Sequence, residues 1–289
     1  MLLRIRHRTR FVYDAPAYES HNEVRLAPAD GPGQRCVDFA LATAPEAATL
    51  EYTDAFGNRV HAVSVHPPHE ELTIVAEAVV ERTAPPPSRA GDVTFADFLA
   101  EDDARLQEHH DFLGPTRYVP LGTRLRRFFW QARPAPSEGV VHYAERLVAS
   151  VREQFAYEPG RTTVQSTVED ILATGAGVCQ DFAHLTLGLL RLAGIPARYV
   201  SGYLALSADP AGGQATHAWV EALLPGSGWT GFDPTHRGRV GLGHVRIGVG
   251  RDYADVPPLR GVYRSRGRSQ TMGVDVWMEE LGERAGGDQ

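Results

Sequence analysis

The stretch Gly175-Ala176-Gly177-Val178-Cys179-Gln180-Asp181-Phe182-Ala183-His184-Leu185 constrains the fold more than any other part of the chain. From Phe182 the apolar residues recur at helical spacing through Leu185, Leu189 and Leu192, and Gly194-Ile195-Pro196 supplies a left-handed stop followed by a helix-breaking proline. The spacing predicts an apolar helix that begins at or just after Cys179. A thiol there sits among backbone N–H groups that lack partners inside the helix, at the positive end of its dipole, which favours thiolate. Gly175 and Gly177 let the backbone bend tightly and leave space above the sulfur.

A cysteine before an apolar helix is weak evidence by itself, because free cysteine usually packs as a small hydrophobe. The downstream residues change its meaning. Thr216-His217-Ala218-Trp219-Val220-Glu221-Ala222 reads as a strand, and after Pro225-Gly226-Ser227-Gly228 comes Trp229-Thr230-Gly231-Phe232-Asp233-Pro234-Thr235. A thiol opening a helix, an imidazole near the start of one strand and a carboxylate at the end of the next are what acyl transfer from an amide requires. They are a nucleophile, a base that later protonates the leaving amine, and an orienter for that base. His217 or Asp233 alone is more often structural; in this order, with the cysteine loop, Cys179, His217 and Asp233 read as one catalytic set.

The segments Gly177–Leu185, Thr216–Glu221 and Gly228–Thr235 resemble the three catalytic motifs of the transglutaminase-like superfamily, in its bacterial branch described as cysteine proteases. The separations, 38 residues from Cys179 to His217 and 16 from His217 to Asp233, fit that family. Tyr52–Asn58 and the segment before it resemble the β-rich N-terminal region that accompanies the branch, and the likeness is weakest over the last fifty residues or so. The resemblance implies an α+β, papain-like or transglutaminase-like core, its nucleophile helix packed on an antiparallel sheet, preceded by a β-sandwich-like domain. It also implies thioester chemistry, which the absence of a calcium-binding acidic loop and the short chain turn toward hydrolysis of a peptide or isopeptide amide. Amine transfer or deamidation at glutamine is the alternative within the same chemistry, and a non-catalytic binding module on the same fold is the second. Papain-like relatives carry a glutamine shortly before the cysteine, whereas Ala173-Thr174-Gly175 offers none. The oxyanion donors expected instead are the backbone N–H of Cys179 with the Tyr157 hydroxyl or the Gln180 side chain. Trp219 and Trp229 are candidates to line the cleft.

A chain of 289 residues with 43% hydrophobic and 22% charged residues is an ordinary globular protein, and two domains are the natural expectation. A net charge of −7 argues against nucleic acid as a partner. All 29 basic residues are arginine, so an enzyme joining glutamine to lysine would have no lysine side chain of its own to modify. The two cysteines, Cys36 and Cys179, fall in different predicted domains, which suits a reducing compartment. The first ten residues have no apolar core of signal-peptide length and no run of about 18 apolar residues occurs, so a cytoplasmic protein without membrane contact is expected. Cys179, His184, His217 and His236 lack the paired spacing of metal ligands, and no metal or cofactor is expected.

Residues 1–83 read as the β-sandwich-like domain, with strands at Leu3–His7, Arg10–Tyr13, Asn22–Leu26, Val60–Val65 and Leu72–Ala76 separated by turn signals. Residues 84–93 form a proline-rich linker and 94–240 the core, with helices from Thr94, from Gly122 to Trp130 and from Ser137 to Phe155. Ser137 and Ser166 or Thr167 are the expected caps. Residues 241–289 are expected to add strands and a tail packed on that core. Arg251-Asp252-Tyr253-Ala254-Asp255 reads first as a salt-bridged turn and second as a border of the site.

Overall fold

The structure, a computed structural model, describes residues 1–84, 92–100, 107–205, 216–236 and 238–281. The predicted linker therefore lies mostly outside the described residues. At the N-terminus, β1 (Leu2–Val24), β2 (Gln34–Ala44), β3 (Ala48–Thr53), β4 (Arg59–Val65) and β5 (His69–Arg82) form a sheet in the order β2-β5-β1-β4-β3. Leu3, Ile5, Phe11 and Tyr13 of β1 are buried while Arg4, Arg6, Arg8 and Arg10 face water, the period of two of a half-buried strand. The sequence divides this stretch into separate strands at Asp14-Ala15-Pro16, but β1 continues. It shifts register between Val12 and Ala17, around a proline with no N–H to give, and changes partner from β5 to β4.

In the core, helices span Phe95–Ala100, Thr123–Ala132, Val140–Gln154, Val168–Thr174 and Cys179–Leu192. Thr167 caps its helix as predicted, in a reciprocal box with Asp170. Ser137 does not: the next helix starts at Val140, and its first N–H groups, on Val141 and His142, donate to the Asp92 carboxylate at 2.9 and 3.0 Å. A cap from 49 residues away leaves no local signature.

The two-residue strands β6 (Ala156–Tyr157) and β7 (Ala176–Gly177) pair in parallel beside the turn before Cys179. The predicted meander is β8 (Ala197–Leu204), β9 (Thr216–Leu224) and β10 (Gly228–Asp233), and with β11 (Gly238–Arg239) and β12 (His244–Gly250) it makes an antiparallel sheet ordered β11-β10-β9-β8-β12. Against it lies the Cys179–Leu192 helix, buried continuously from Asp181 to Arg191. Phe182, Leu185 and Leu189 share one apolar cluster with Tyr199, Ala218, Val220 and Ala222 of the sheet. Each such side chain contributes roughly 1.5–3 kcal/mol by leaving water, so the element that carries the thiol is among the most firmly held in the molecule.

Residues 241–289 do not all pack on this core. β12 does, but β13 (Leu259–Ser265) and β14 (Gln270–Leu281) pair with β1 at residues 17–24 and 2–13, completing a seven-stranded sheet. β1 leaves one edge of hydrogen-bonding groups open opposite β5 and β4, and the last strands fill it. The expected N-terminal sandwich is thus one bent sheet, closed by the far end of the chain around a single cluster that includes Leu3, Ile5, Val63, Ile74 and Val276. Tyr203, Val245 and Ile247 of the core sheet belong to that cluster as well, so the two regions share buried surface.

Candidate active site

Gly175 adopts φ 71° and ends the preceding helix, and Ala176-Gly177 then run beside Ala156-Tyr157. A Cβ on Gly177 would lie 2.7 Å from the Asp181 side chain. That contact has a purpose: Asp181 accepts the Val178 N–H at 2.8 Å and the Thr162 hydroxyl, tying the start of the helix to its own first turn. Cys179 follows, half-buried and free of any disulfide, on the first turn where N–H groups have no intrahelical carbonyl to meet.

His217 and Asp233 arrive on neighbouring antiparallel strands. Nε2 of His217 lies 2.8 Å from Oδ2 of Asp233, which leaves Nδ1 as the ring nitrogen free for the thiol. Burial disfavours the imidazolium, but hydrogen bonds to Asp233 and Cys179 and their charges outweigh it and push His217 up to about 9. Burial likewise opposes ionisation of Asp233, yet the hydrogen bonds from His217, His244 and His236 hold its carboxyl far below the usual carboxylate range. The three residues singled out from the sequence therefore stand in one row, with a carboxylate that stays charged and an imidazole that keeps its proton beside sulfur.

The other candidates divide. The Tyr157 phenol, 41% exposed, is pushed up by burial and by the nearby charges of Cys179 and Asp233, so it stays a hydroxyl donor beside the site. Gln180 is turned away, its amide donating to the Val164 carbonyl at 3.2 Å. Trp219 is fully buried behind the imidazole, its ring stacked on His217 at 6.1 Å, and so backs the site without lining an open cleft. Gly202 makes this possible, since a Cβ there would fall 2.4 Å from the Trp219 ring. Trp229 sits four residues before Asp233 on β10, about 13 Å along a strand, and packs on Arg198, His109 and Phe112. It takes no part in this site. His184 is buried between Tyr118 and Tyr199, where burial lowers it to about 3 and its Nε2 accepts the Tyr253 N–H. Arg251 and Asp255 form the salt-bridged turn that the sequence favoured.

Two residues join the site that the motifs did not mark for it. His236 Nδ1 and His244 Nε2 also reach Oδ2 of Asp233, at 2.8 and 3.0 Å. His217, Asp233 and His236 offer ligand atoms within 4.8 Å of one another, but at these distances the imidazoles act as donors to the carboxylate. His236 lies three residues past Asp233 and was within reach of local reasoning; His244 comes from β12, across the sheet from β10, and was not.

Residues 3–81 match the bacterial transglutaminase-like N-terminal region and residues 132–234 the transglutaminase-like superfamily. The uncharacterized protein ML0607 of Mycobacterium leprae is 37% identical over 283 residues, covering 96% of this chain and 97% of that protein. A protein-glutamine gamma-glutamyltransferase of Pseudomonas aeruginosa is 36% identical over 136 residues, 40% of this chain and 20% of that one. The crystal structure of a "putative cysteine protease" from Cytophaga hutchinsonii superimposes with a TM-score of 0.74 at 24% identity, over 98% of this chain and 92% of its own. The chain has a transglutaminase-like core behind a bacterial transglutaminase-like N-terminal region, and it belongs to the transglutaminase-like superfamily.

Proposed function

We propose that the protein is a cysteine-dependent acyl-transfer enzyme that hydrolyses a peptide or isopeptide amide through a thioester on Cys179. The observation that carries this is the grouping of Cys179, His217 and Asp233, with His217 hydrogen-bonded to Asp233 at 2.8 Å and its proton held more tightly by Asp233 and by the Cys179 thiol beside it. The thiolate attacks the amide carbonyl, and the oxyanion that forms is met by the backbone N–H of Cys179 and the Tyr157 hydroxyl. As the C–N bond breaks, the imidazolium of His217 gives its proton to the leaving nitrogen. Water then adds to the thioester with His217 as base, releasing the acid and restoring the thiol. Asp233 keeps Nε2 of His217 protonated and its ring in place throughout.

Similarity to a protein-glutamine gamma-glutamyltransferase favours a second reading, in which an amine replaces water as acceptor. Incubation of wild type and Cys179→Ala with a mixed peptide library, with and without a small primary amine, separates the two by mass spectrometry. Cleavage that depends on Cys179 is expected. Amine adducts, or ammonia loss without cleavage, would move the protein to glutamine chemistry, and identical spectra from both proteins would sink both readings.

A further inference from the structure

Two imidazoles on Asp233 have no part in the chemistry above. Resting on that proposed function, we infer that His244 and His236 are positioning residues for the site, which hold the Asp233 carboxylate in the single orientation that serves His217. His244 is the principal one.

Asp233 is a buried side chain met from every side. Its Oδ1 accepts the backbone N–H groups of Thr235 and His236 at 2.8 and 3.3 Å, and its Oδ2 accepts three imidazole donors. A carboxylate offers about four lone-pair sites, and five donors crowd this one, so it cannot turn without breaking several hydrogen bonds. Any turn would draw Oδ2 from Nε2 of His217 and release the tautomer that presents Nδ1 to sulfur.

The two extra donors differ in kind. His244 is buried, and its Nδ1 accepts the Gly241 N–H at 3.2 Å. A backbone N–H cannot rotate away or become an acceptor, so the His244 ring must carry its proton on Nε2, where it points at Asp233. The chain itself thus aims the Nε2 proton of His244 at Asp233. Its ring also meets the edge of Trp219 at 5.3 Å, and Trp219 stacks on His217, so both histidines are seated on one wall. His236 is different, with 45% of its side chain exposed, and water can take its place.

The test reads the nucleophile directly and needs no substrate. Iodoacetamide labelling of the full chain at pH 6 is followed on the Cys179 peptide by mass spectrometry, so that Cys36 does not contribute. His244→Phe keeps the ring against Trp219 but removes the donor, and labelling should slow about tenfold, the worth of one hydrogen bond to a charged group. His244→Gln, which restores an N–H, should recover most of the rate, and His236→Ala should lose less than about threefold. A His244→Phe rate equal to wild type at an unchanged thermal midpoint overturns the inference, as do equal losses in the Phe and Gln variants, which would make the role one of packing. His217→Ala and Asp233→Asn run alongside: if neither slows labelling, the proposed function fails and takes this inference with it. Should His244→Phe not fold, nitrogen NMR of the wild-type histidine rings decides, because the inference demands that the neutral His244 ring carry its proton on Nε2 and be bare on Nδ1, and the opposite tautomer overturns it.

Discussion

The outer face of β1 and the surroundings of Asp233 are both dense in ion pairs, and the two teach opposite lessons. On β1, Arg4, Arg6, Arg8 and Arg10 each meet a carboxylate of β14 or β5 within 3.2 Å: Glu279, Glu77, Asp275 and Glu71. These side chains remain about half exposed, so water competes for every partner. Asp233 is 1% exposed and lives on protein donors alone. There the same kind of contact sets which atom holds a proton, because a charge cut off from water depends wholly on its hydrogen bonds. Density of charge is common to both; only burial turns it into control.

Substitution at the two places should separate them widely. Asp233→Asn should cost about 3 kcal/mol or more, read as the midpoint of urea unfolding, because it removes a buried charge that several donors face. A loss comparable to that of a surface mutation would break the contrast.

The pH dependence of stability comes next in size. His217 binds its proton more tightly in the folded chain, so its contribution is complete below its ordinary value of 6.5 and is lost as pH rises through about 9. Asp233 is held below its ordinary 3.8, so its contribution is present above that value and lost as pH falls beneath it. Thermal midpoints should therefore be highest between these limits and decline by several degrees from pH 7 to 9.5. His217→Gln should flatten the alkaline decline, and an unchanged slope in that variant would detach His217 from it.

Asp92→Ala removes the distant cap of the Val140–Gln154 helix and should cost about 1 kcal/mol, a midpoint loss of about 2–4 °C. Smallest is Arg8→Ala on the outer face of β1, where calorimetry should find a change under about 2 °C. A larger loss there would mean that the exposed ladder acts as a network.

What could be read ahead of the structure followed the range of the forces involved. The helix opening at Cys179 was legible because helical spacing and the Gly194 stop act within a few turns. The Thr167 cap was legible for the same reason. Asp92 capping Val141, and the close of the first sheet by β13 and β14, were not, since any open strand edge accepts any strand of suitable pattern. Gln180 and Trp229 were misplaced for a related reason. Side-chain type and nearness in sequence suggested roles at the thiol, whereas Val164 and Arg198, each brought in from elsewhere, decided where they turn.

By itself, then, the order of residues determined the thiol at a helix start and the chain order of Cys179, His217 and Asp233, because each motif is built from neighbours. Only the tertiary structure decided that Asp233 is shared by three imidazoles. His244 reaches it from a strand at the opposite edge of the sheet, and the Gly241 N–H that fixes its proton gives no pattern that periodicity could reveal. Local signals carry the nucleophile; the protonation of its partners depends on which distant groups are excluded from water beside them.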